Sequence, residues 1–176
     1  FAPAVSRTYA LRYQDGKYRP DMDGVIRAVE KYAKGNRPVR FMGFPSYTYF
    51  MLTTMEQRGI RVRLPKGSRI LLGGGWKQFY AQEVDKKTLY DLAERVLGIK
   101  DDCITEFFGA VEHPILYTDC KNHHFHIPAY SRVLIRDVDT LEKLDPGKVG
   151  LINLMTPMVY SEPLLSIMTD DLGVLH

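Results

Sequence analysis

The sequence predicts an α/β fold with a mostly parallel sheet flanked by helices, followed by a small antiparallel β-sheet or barrel. Helical and strand-like segments alternate through the first half of the chain, as in β-α-β units. After about residue 115 helical periodicity disappears, and short strand-like segments separated by turns replace it. We therefore predict an α/β subdomain at residues 1–114 and a β-rich subdomain at residues 115–176.

Three segments of the first half have the spacing of amphipathic helices. Gly35 follows the first where a helix should end, Pro45 and Ser46 begin the second, and Gly98 ends the third. Their apolar faces, in chain order, are Val25, Ile26, Val29, Tyr32 and Ala33; Tyr47, Phe50, Met51 and Met55; and Leu89, Leu92, Ala93, Val96 and Leu97.

Strands are predicted between and after these helices from short apolar segments bounded by turn residues. In the first half they are residues 39–44, 68–72 and 104–108, the last stopping at Gly109. In the second half they are residues 125–127, 132–136, 149–155 and 164–168. Turns are predicted at Asp145-Pro146-Gly147 and Ser161-Glu162-Pro163.

Composition excludes several classes of protein. The net charge is +3 with no clustered basic segment, which weighs against nucleic-acid binding. No apolar stretch approaches the roughly 20 residues of a membrane helix, and the first residues lack the pattern of a signal peptide. Two cysteines are too few for a disulfide framework, so we expect a cytoplasmic protein. The absent initiator Met and the strand-like pattern of residues 173–176 predict a fragment of a longer protein.

Glycine follows two of the predicted strands, at Gly73-Gly74-Gly75 and at Gly109. In open α/β sheets ligands bind beyond the carboxyl ends of the strands, and glycine lets a ligand approach the backbone. One interpretation is a nucleotide base or phosphate lying against both loops. The alternative is two tight turns. The segment at residues 73–77 has the spacing of neither a Walker loop nor a dinucleotide fingerprint.

Acidic and aromatic side chains lie near these loops. Glu112 is a candidate Mg²⁺ ligand, because Mg²⁺ is commonly shared between carboxylate and phosphate oxygens. Phe108 could pack its ring against a purine, and Asp170 or Asp171 could accept hydrogen bonds from ribose hydroxyls. The alternatives are a solvated loop charge at Glu112, a core residue at Phe108 and an Asp-rich turn at residues 170–171.

A third cluster spans residues 119–126, where Cys120, His124 and His126 are candidate zinc ligands. The spacing matches no strong zinc signature, and histidines in such a loop are commonly surface or hydrogen-bonded residues. Cys103 lies beside an apolar strand and is predicted to be a buried thiol.

Taken in order, these segments resemble the motifs of adenylate-forming enzymes, the superfamily of acyl-CoA ligases. Residues 108–112 (FGAVE) are similar to its aromatic-Gly-x-Thr-Glu motif, and residues 169–173 (TDDLG) to its Thr-Gly-Asp-Leu motif. Residues 145–151 (DPGKVGL) resemble its Gly-Glu-x-Gly-Glu-Leu turn and strand. Within the superfamily, residues 69–77 (RILLGGGWK) resemble the Gly-Gly-Gly-Trp-Lys segment of LuxE-type acyl-protein synthetases of bacterial bioluminescence. The resemblance runs from about Pro38 to the end.

The resemblance implies a role for each motif. Gly73, Gly74 and Gly75 would border the adenine and acyl pocket. Trp76 and Lys77 are candidate acyl-pocket residues from their position after the glycines, and Phe79 and Tyr80 could line the same pocket. The alternatives are core aromatic residues and a solvated lysine. Phe108 and Gly109 would pack on adenine, Glu112 would be the catalytic residue that binds Mg²⁺ on the phosphates, and Asp171 would hold the ribose hydroxyls. The implied reaction activates a fatty or aryl carboxylic acid with ATP, releases pyrophosphate and passes the acyl group to an enzyme cysteine. An acyl reductase or another acyl-acceptor protein is the implied partner.

Two residues depart from the family motifs, and two family elements fall outside the chain. Val111 stands in place of the usual Thr, and Asp170 in place of the usual Gly. The family's phosphate loop would precede residue 1, while its catalytic lysine and acyl-accepting cysteine would follow His176, so we expect this chain to be inactive alone. Two alternatives are a non-catalytic nucleotide-binding or interaction module and a zinc-stabilised domain built around Cys120.

Overall fold

The chain is described by a computed structural model over residues 4–160, 162 and 164–176, with Lys77 described by its backbone alone. The predicted turn at residues 161–163 includes Ser161 and Pro163, which lie outside the described residues. The chain divides into two compact units between Glu106 and Phe107.

The described part of the first unit contains the helices that the sequence predicts. They are α1 Met22–Ala33, α2 Pro45–Gln57 and α3 Lys86–Leu97. The Asp21 and Asp85 side chains cap α1 and α3 by accepting hydrogen bonds from the backbone N–H groups of Gly24 and Thr88. Helix α3 ends as predicted at Gly98, which adopts the left-handed conformation with φ +72°.

The strands of the first unit include a hairpin that we did not predict, formed by β1 Leu11–Gln14 and β2 Lys17–Pro20. Asp15-Gly16 makes its turn with both φ angles positive, and Asp-Gly is a strong hairpin signal in a sequence. Strands β3 Arg40–Gly43 and β4 Arg69–Gly73 pair in parallel. The next strand in the sheet is β5 Ile104–Ala110, which begins in the first unit and ends in the second.

One apolar cluster holds the first unit together. The predicted face of α3 belongs to this cluster together with Ile70 and Leu72 of β4, and Leu52, Met55 and Leu97 are fully buried. The predicted faces of α1 and α2 join it only in part, because Tyr32, Ala33, Tyr47 and Phe50 lie outside it. Full burial of a side chain of this size contributes about 1.5–3 kcal/mol. Cys103 packs against the edge of this cluster and is half-buried. The cluster fixes the ends of β3 and β4, where the glycine turn begins.

The second unit is built from antiparallel strands. The end of β5 pairs with β6 His113–Thr118, and β7 Arg132–Arg136, β8 Val149–Met155 and β9 Ser166–Val174 form a three-stranded sheet. Strands β7 and β8 have the predicted bounds. The strands that the structure describes form no closed barrel. A parallel-containing sheet with helices and a separate antiparallel sheet confirm the predicted fold class.

Three strand predictions for this unit are wrong in detail. Strand β5 does not stop at Gly109 but runs through it to Ala110. Residues 125–127 form no strand, because Phe125 makes only an isolated bridge to Asp119. The last strand was expected at residues 164–168, but β9 continues to Val174 and therefore contains both Asp170 and Asp171. Long-range pairing with β6 and β8 decides these bounds, and local sequence patterns do not report it.

The cap of α3 makes stability depend on pH. Hydrogen bonds from the backbone N–H and the hydroxyl of Thr88 hold the pKa of Asp85 below its ordinary value of 3.8. The cap therefore contributes its full stability above that value, and the contribution is lost as pH falls through the lower folded-state pKa. We expect Asp85→Asn, which caps without a charge, to reduce the loss of stability between neutral pH and pH of about 3. Denaturant unfolding at several pH values measures this difference. As a control, Asp85→Ala should be less stable than the wild type already at neutral pH, because it removes the cap. The prediction is contradicted if the free energy of unfolding depends on pH equally in Asp85→Asn and in the wild type.

Candidate functional site

The first group of predicted site residues forms a turn at the carboxyl end of β4. Gly73 is the last residue of the strand, and Gly74 and Gly75 both have positive φ angles, +79° and +63°. A Cβ atom built on Gly75 would meet nothing within 4 Å. The backbone at Gly75 is therefore left accessible by the first unit, as expected of a turn that a ligand approaches.

Trp76 and Lys77 follow this turn and lead into a short 3-10 helix at Lys77–Gln82. Trp76 is buried, and its ring lies 5.5 Å from that of Tyr49. The Lys77 side chain lies outside the described part of the structure. Trp76 is therefore buried within the first unit, and its ring does not face solvent.

Aromatic side chains cluster beside the glycine turn. Phe79 of the 3-10 helix makes edge-on contacts with Phe50 and Tyr47 of α2, at centroid distances of 5.0 and 5.7 Å. These rings are half-buried, and Phe44, just before α2, is 40% exposed. Because α2 follows β3 and the 3-10 helix follows β4, the cluster lies at the carboxyl edge of the two parallel strands. The sequence predicted that Tyr47 and Phe50 lie on one face of a helix, but it did not predict that the Phe79 ring packs against them.

A second group occupies the β5–β6 hairpin. Val111 and Glu112 form its two-residue turn, and both are exposed, Val111 by 98%. Within the described residues the Glu112 carboxylate forms no hydrogen bond or ion pair. This exposed carboxylate has the chemistry of a cation ligand, so the residue present fits a bound Mg²⁺ ion.

Phe108 and Gly109 lie in the same hairpin, and both are close to neighbouring residues of the second unit. Phe108 is half-buried, and its ring lies 6.1 Å from that of Tyr117 and 6.3 Å from that of Phe125. Between the pairs Phe108–Tyr117 and Ala110–His113, a bulge sets Gly109 against residues 114–116 of β6. A Cβ on Gly109 would lie 3.3 Å from the Ile115 carbonyl oxygen, so β6 would have to move by a few tenths of an ångström to admit a side chain there.

A buried polar chain lies beneath the hairpin turn. The His113 side chain is 1% exposed, and its Nε2 atom lies 2.8 Å from the Tyr117 hydroxyl. The Tyr117 hydroxyl contacts Ser131 Oγ, which donates to the Met155 carbonyl oxygen. Burial lowers the pKa of His113 and raises that of Tyr117, so both side chains are neutral near pH 7. The chain ties the base of the turn that carries Glu112 to β8.

The third group lies in a bulge of β9. Asn153 pairs with Met168 and Leu151 with Leu172, so Ile152 alone opposes residues 169–171. Thr169 Oγ1 donates to the Ile152 carbonyl oxygen and accepts a hydrogen bond from the backbone N–H of Asp171. The Asp170 and Asp171 side chains are exposed. Bulges often re-aim side chains near functional sites, and a local sequence pattern does not reveal them.

The candidate zinc cluster is a compact turn after β6 at residues 119–126. Cys120 and His126 are close enough to hydrogen-bond, whereas the His124 ring contacts that of His176. Among the described residues, no group of three or more His, Cys, Asp or Glu side chains could hold a metal ion. The geometry therefore does not support the zinc-stabilised domain. The described helices also include none that is long and apolar enough to cross a membrane.

Solved structures with the same fold define the class of protein. A long-chain-fatty-acid-CoA ligase from Archaeoglobus fulgidus aligns with 80% of this chain and 28% of its own, with a TM-score of 0.57 and 17% identity. ATP-bound MatB from Rhodopseudomonas palustris aligns with 88% of this chain and 31% of its own, with a TM-score of 0.52 and 16% identity. The chain has the fold of part of an adenylate-forming enzyme.

Sequence comparison places the chain more closely. Residues 21–176 match the family described as acyl-protein synthetase, LuxE, and the chain belongs to that family. It is 22% identical over 171 residues to the long-chain-fatty-acid–luciferin-component ligase of Aliivibrio fischeri. That match includes 97% of this chain but only 45% of the relative, so the chain spans less than half the length of this curated relative.

Proposed function

We propose that this chain is the part of an acyl-protein synthetase that binds adenosine and Mg²⁺. The complete reaction would activate a fatty acid with ATP to an acyl-adenylate and then transfer the acyl group to a protein thiol. The observation that carries the proposal is the LuxE family match over residues 21–176, because it includes every residue to which a role is assigned. The exposed glycine turn, hairpin carboxylate and strand bulge support it.

The second unit would supply the charged contacts. Asp171 would accept hydrogen bonds from the two ribose hydroxyls, and its exposed position in the β9 bulge leaves it accessible for this. Glu112 would bind Mg²⁺, and the buried chain beneath the turn would limit its movement. Bound Mg²⁺ would neutralise the negative charge that builds up as the carboxylate attacks the α-phosphate. Phe108 and Gly109 would present a flat surface to adenine.

The first unit contains the glycine turn and the residues proposed for the acyl group. Gly74 and Gly75 expose backbone at the end of β4, and the aromatic cluster of Tyr47, Phe50 and Phe79 lies beside them. Trp76 would support this surface from beneath. A surface of aromatic rings favours an apolar acid, because burying an acyl chain contributes about 0.8 kcal/mol per methylene group. We therefore propose a fatty acid as the substrate, and the name of the Aliivibrio fischeri ligase also contains a long-chain fatty acid. A protein thiol as the acceptor is proposed from the family resemblance alone.

Thermal unfolding with a non-hydrolysable acyl-adenylate analogue and Mg²⁺ tests the nucleotide site. At about 100 times its dissociation constant, the analogue should stabilise the protein by about 2.7 kcal/mol, a shift of several degrees in Tm. We expect Asp171→Ala to abolish most of this shift. Asp170→Ala is the matched control, because it removes another exposed carboxylate from the same bulge.

The outcomes separate the proposal from its alternative. An equal loss in both Asp variants would indicate a general charge effect and contradict the assigned role of Asp171. The full polypeptide that carries this chain could be stabilised by the analogue and yet release no pyrophosphate. That result would favour a non-catalytic nucleotide-binding module. Absence of stabilisation in that full polypeptide would contradict both functions.

A further inference from the structure

We propose that Tyr117 is a positioning residue for Glu112, whose hydroxyl acts through His113 to hold the hairpin turn in place for Mg²⁺ binding. This role rests on the proposed function, in which Glu112 binds the metal ion, and it identifies the groups on which that carboxylate depends. Tyr117 is only 3% exposed, so its effect on the turn passes through its neighbours.

The hydrogen bonds around the Tyr117 hydroxyl can run in only one direction. A serine hydroxyl has one proton to give, and Ser131 donates it to the Met155 carbonyl oxygen at 3.0 Å. Ser131 Oγ therefore accepts from the Tyr117 hydroxyl, which then has no proton left for a second bond. The Tyr117 oxygen must accept from His113 Nε2, which lies 2.8 Å away. The donors thus run from His113 through Tyr117 and Ser131 to β8.

This direction fixes the protonation of the His113 ring. Nε2 carries a proton, whereas Nδ1 is buried and has no hydrogen-bond partner among the described residues. A proton on Nδ1 would have no acceptor there, so the ring is neutral and holds a single tautomer. The His113 and Tyr117 rings are parallel to within 6°, with centroids 5.9 Å apart. This stacking keeps Nε2 facing the hydroxyl.

The unpaired Nδ1 atom indicates that His113 is not the most stabilising residue for its position. A buried acceptor without a donor opposes folding, because unfolding returns it to water. An apolar side chain of similar shape would avoid this cost and leave the Tyr117 hydroxyl with Ser131 as its partner. A stability cost directly beside a candidate metal ligand is typical of a functional position.

Glu112 depends on this chain because the turn has little packing of its own. His113 begins β6 and pairs with Ala110, the last residue of β5, so Glu112 lies in the two-residue turn between them. Val111, the other residue of the turn, is 98% exposed. The nearest buried side chain is that of His113, which is 1% exposed and bonded to Tyr117. The Tyr117 hydroxyl therefore limits how far the base of the turn can move.

Hydrogen exchange in the full polypeptide that carries this chain, without nucleotide or metal, tests the positioning directly. Tyr117→Phe keeps the ring but removes the hydroxyl, so exchange at residues 110–113 should accelerate by about fivefold to tenfold, as one lost hydrogen bond implies. Tyr90→Phe is the matched control, because Tyr90 is also 3% exposed and its hydroxyl donates to Glu106 Oε1 at 2.9 Å. That variant should leave exchange at residues 110–113 unchanged. Unchanged exchange there in a folded Tyr117→Phe variant would overturn the proposal.

Two His113 variants test whether the Nε2 donor is the group that matters. The side-chain amide nitrogen of Gln lies as many bonds from Cα as His Nε2, whereas that of Asn lies nearer to the backbone. His113→Gln should therefore still donate to Tyr117 and exchange like the wild type at the turn. His113→Asn should exchange like Tyr117→Phe. Equal exchange at residues 110–113 in the two folded His113 variants would overturn the assignment of Nε2 as the donor.

Thermal unfolding of the same polypeptide with a non-hydrolysable ATP analogue links the chain to the metal. The Mg²⁺ concentration that gives half of the analogue-dependent Tm shift should rise about fivefold to tenfold in Tyr117→Phe. It should rise further in Glu112→Gln and stay unchanged in Tyr90→Phe. A rise in Glu112→Gln without one in Tyr117→Phe would overturn the positioning role and leave the proposed function standing. No rise in Glu112→Gln would remove the metal role of Glu112 and overturn the positioning role with it.

Discussion

Substituting Gly150 with alanine is expected to destabilise the second unit by about 3 kcal/mol or more. Gly150 is the second residue of β8, and a Cβ atom built on it would overlap the carbonyl oxygen of Arg136 in β7. Backbone cannot move aside as a flexible side chain can, so relief would require separation of β7 from β8. Denaturant unfolding measures the change, and hydrogen exchange of the β7 and β8 amides locates it.

Two other glycines of the same unit provide matched controls for Gly150→Ala. A Cβ on Gly147 would meet nothing within 4 Å, so Gly147→Ala should cost only about 1 kcal/mol, from its positive φ of +86°. A Cβ on Gly173 would lie 2.9 Å from side-chain atoms of Ile152, which can move, so an intermediate cost is expected. Equal costs at the three positions would contradict the assignment of the effect to the Arg136 backbone.

Gly150 also illustrates what the sequence could predict. The motif at residues 145–151 indicated a turn followed by a strand, and the structure has both, with β8 beginning at Val149. Local signals suffice there, because turn residues and apolar alternation lie next to each other in the chain. The helix ends at Gly98 and Pro45 were predictable for the same reason.

The parts that the sequence did not predict depend on pairing between distant residues. Strand β6 begins with His113 and Pro114, which do not resemble a strand start, and its inward side chains include the polar His113. Gly109 was interpreted as a ligand-facing glycine, and the close approach of the Ile115 carbonyl oxygen in β6 is a structural feature of this position that the sequence did not reveal. The β9 bulge that exposes Asp171 likewise exists only when β8 is beside it.

For this reason the motifs could nominate the candidate site residues but could not predict their surroundings. The Glu112 carboxylate was predicted from its position in a motif, and the structure adds a tight hairpin above a buried chain of His113, Tyr117 and Ser131. Such a chain restricts the movement of the turn, because breaking it would leave buried polar atoms without partners. Restricted carboxylates bind metal ions with a smaller entropic cost than mobile ones.

The proposed role of Glu112 leads to the prediction with the largest effect on activity. Glu112→Gln, introduced into the full polypeptide that carries this chain, should reduce acid-dependent pyrophosphate release by about 100-fold or more. The substitution preserves shape but removes the negative charge, and amide oxygens bind Mg²⁺ less well than carboxylates. The residual activity should need a higher Mg²⁺ concentration than the wild type.

Stability and charge controls separate this chemical effect from damage to the fold. Glu112 is exposed and makes no hydrogen bond or ion pair within the described residues, so Glu112→Gln should change stability by no more than about 0.5 kcal/mol. Glu142→Gln removes an exposed carboxylate elsewhere in the second unit and should leave activity unchanged. Glu112→Asp keeps the charge at shorter reach, so its activity should lie between those of wild type and Glu112→Gln. If a folded Glu112→Gln variant keeps the activity and the Mg²⁺ dependence of the wild type, Glu112 is not the metal ligand. The variant lacks the charge of Glu112 and carries no second substitution that could replace it.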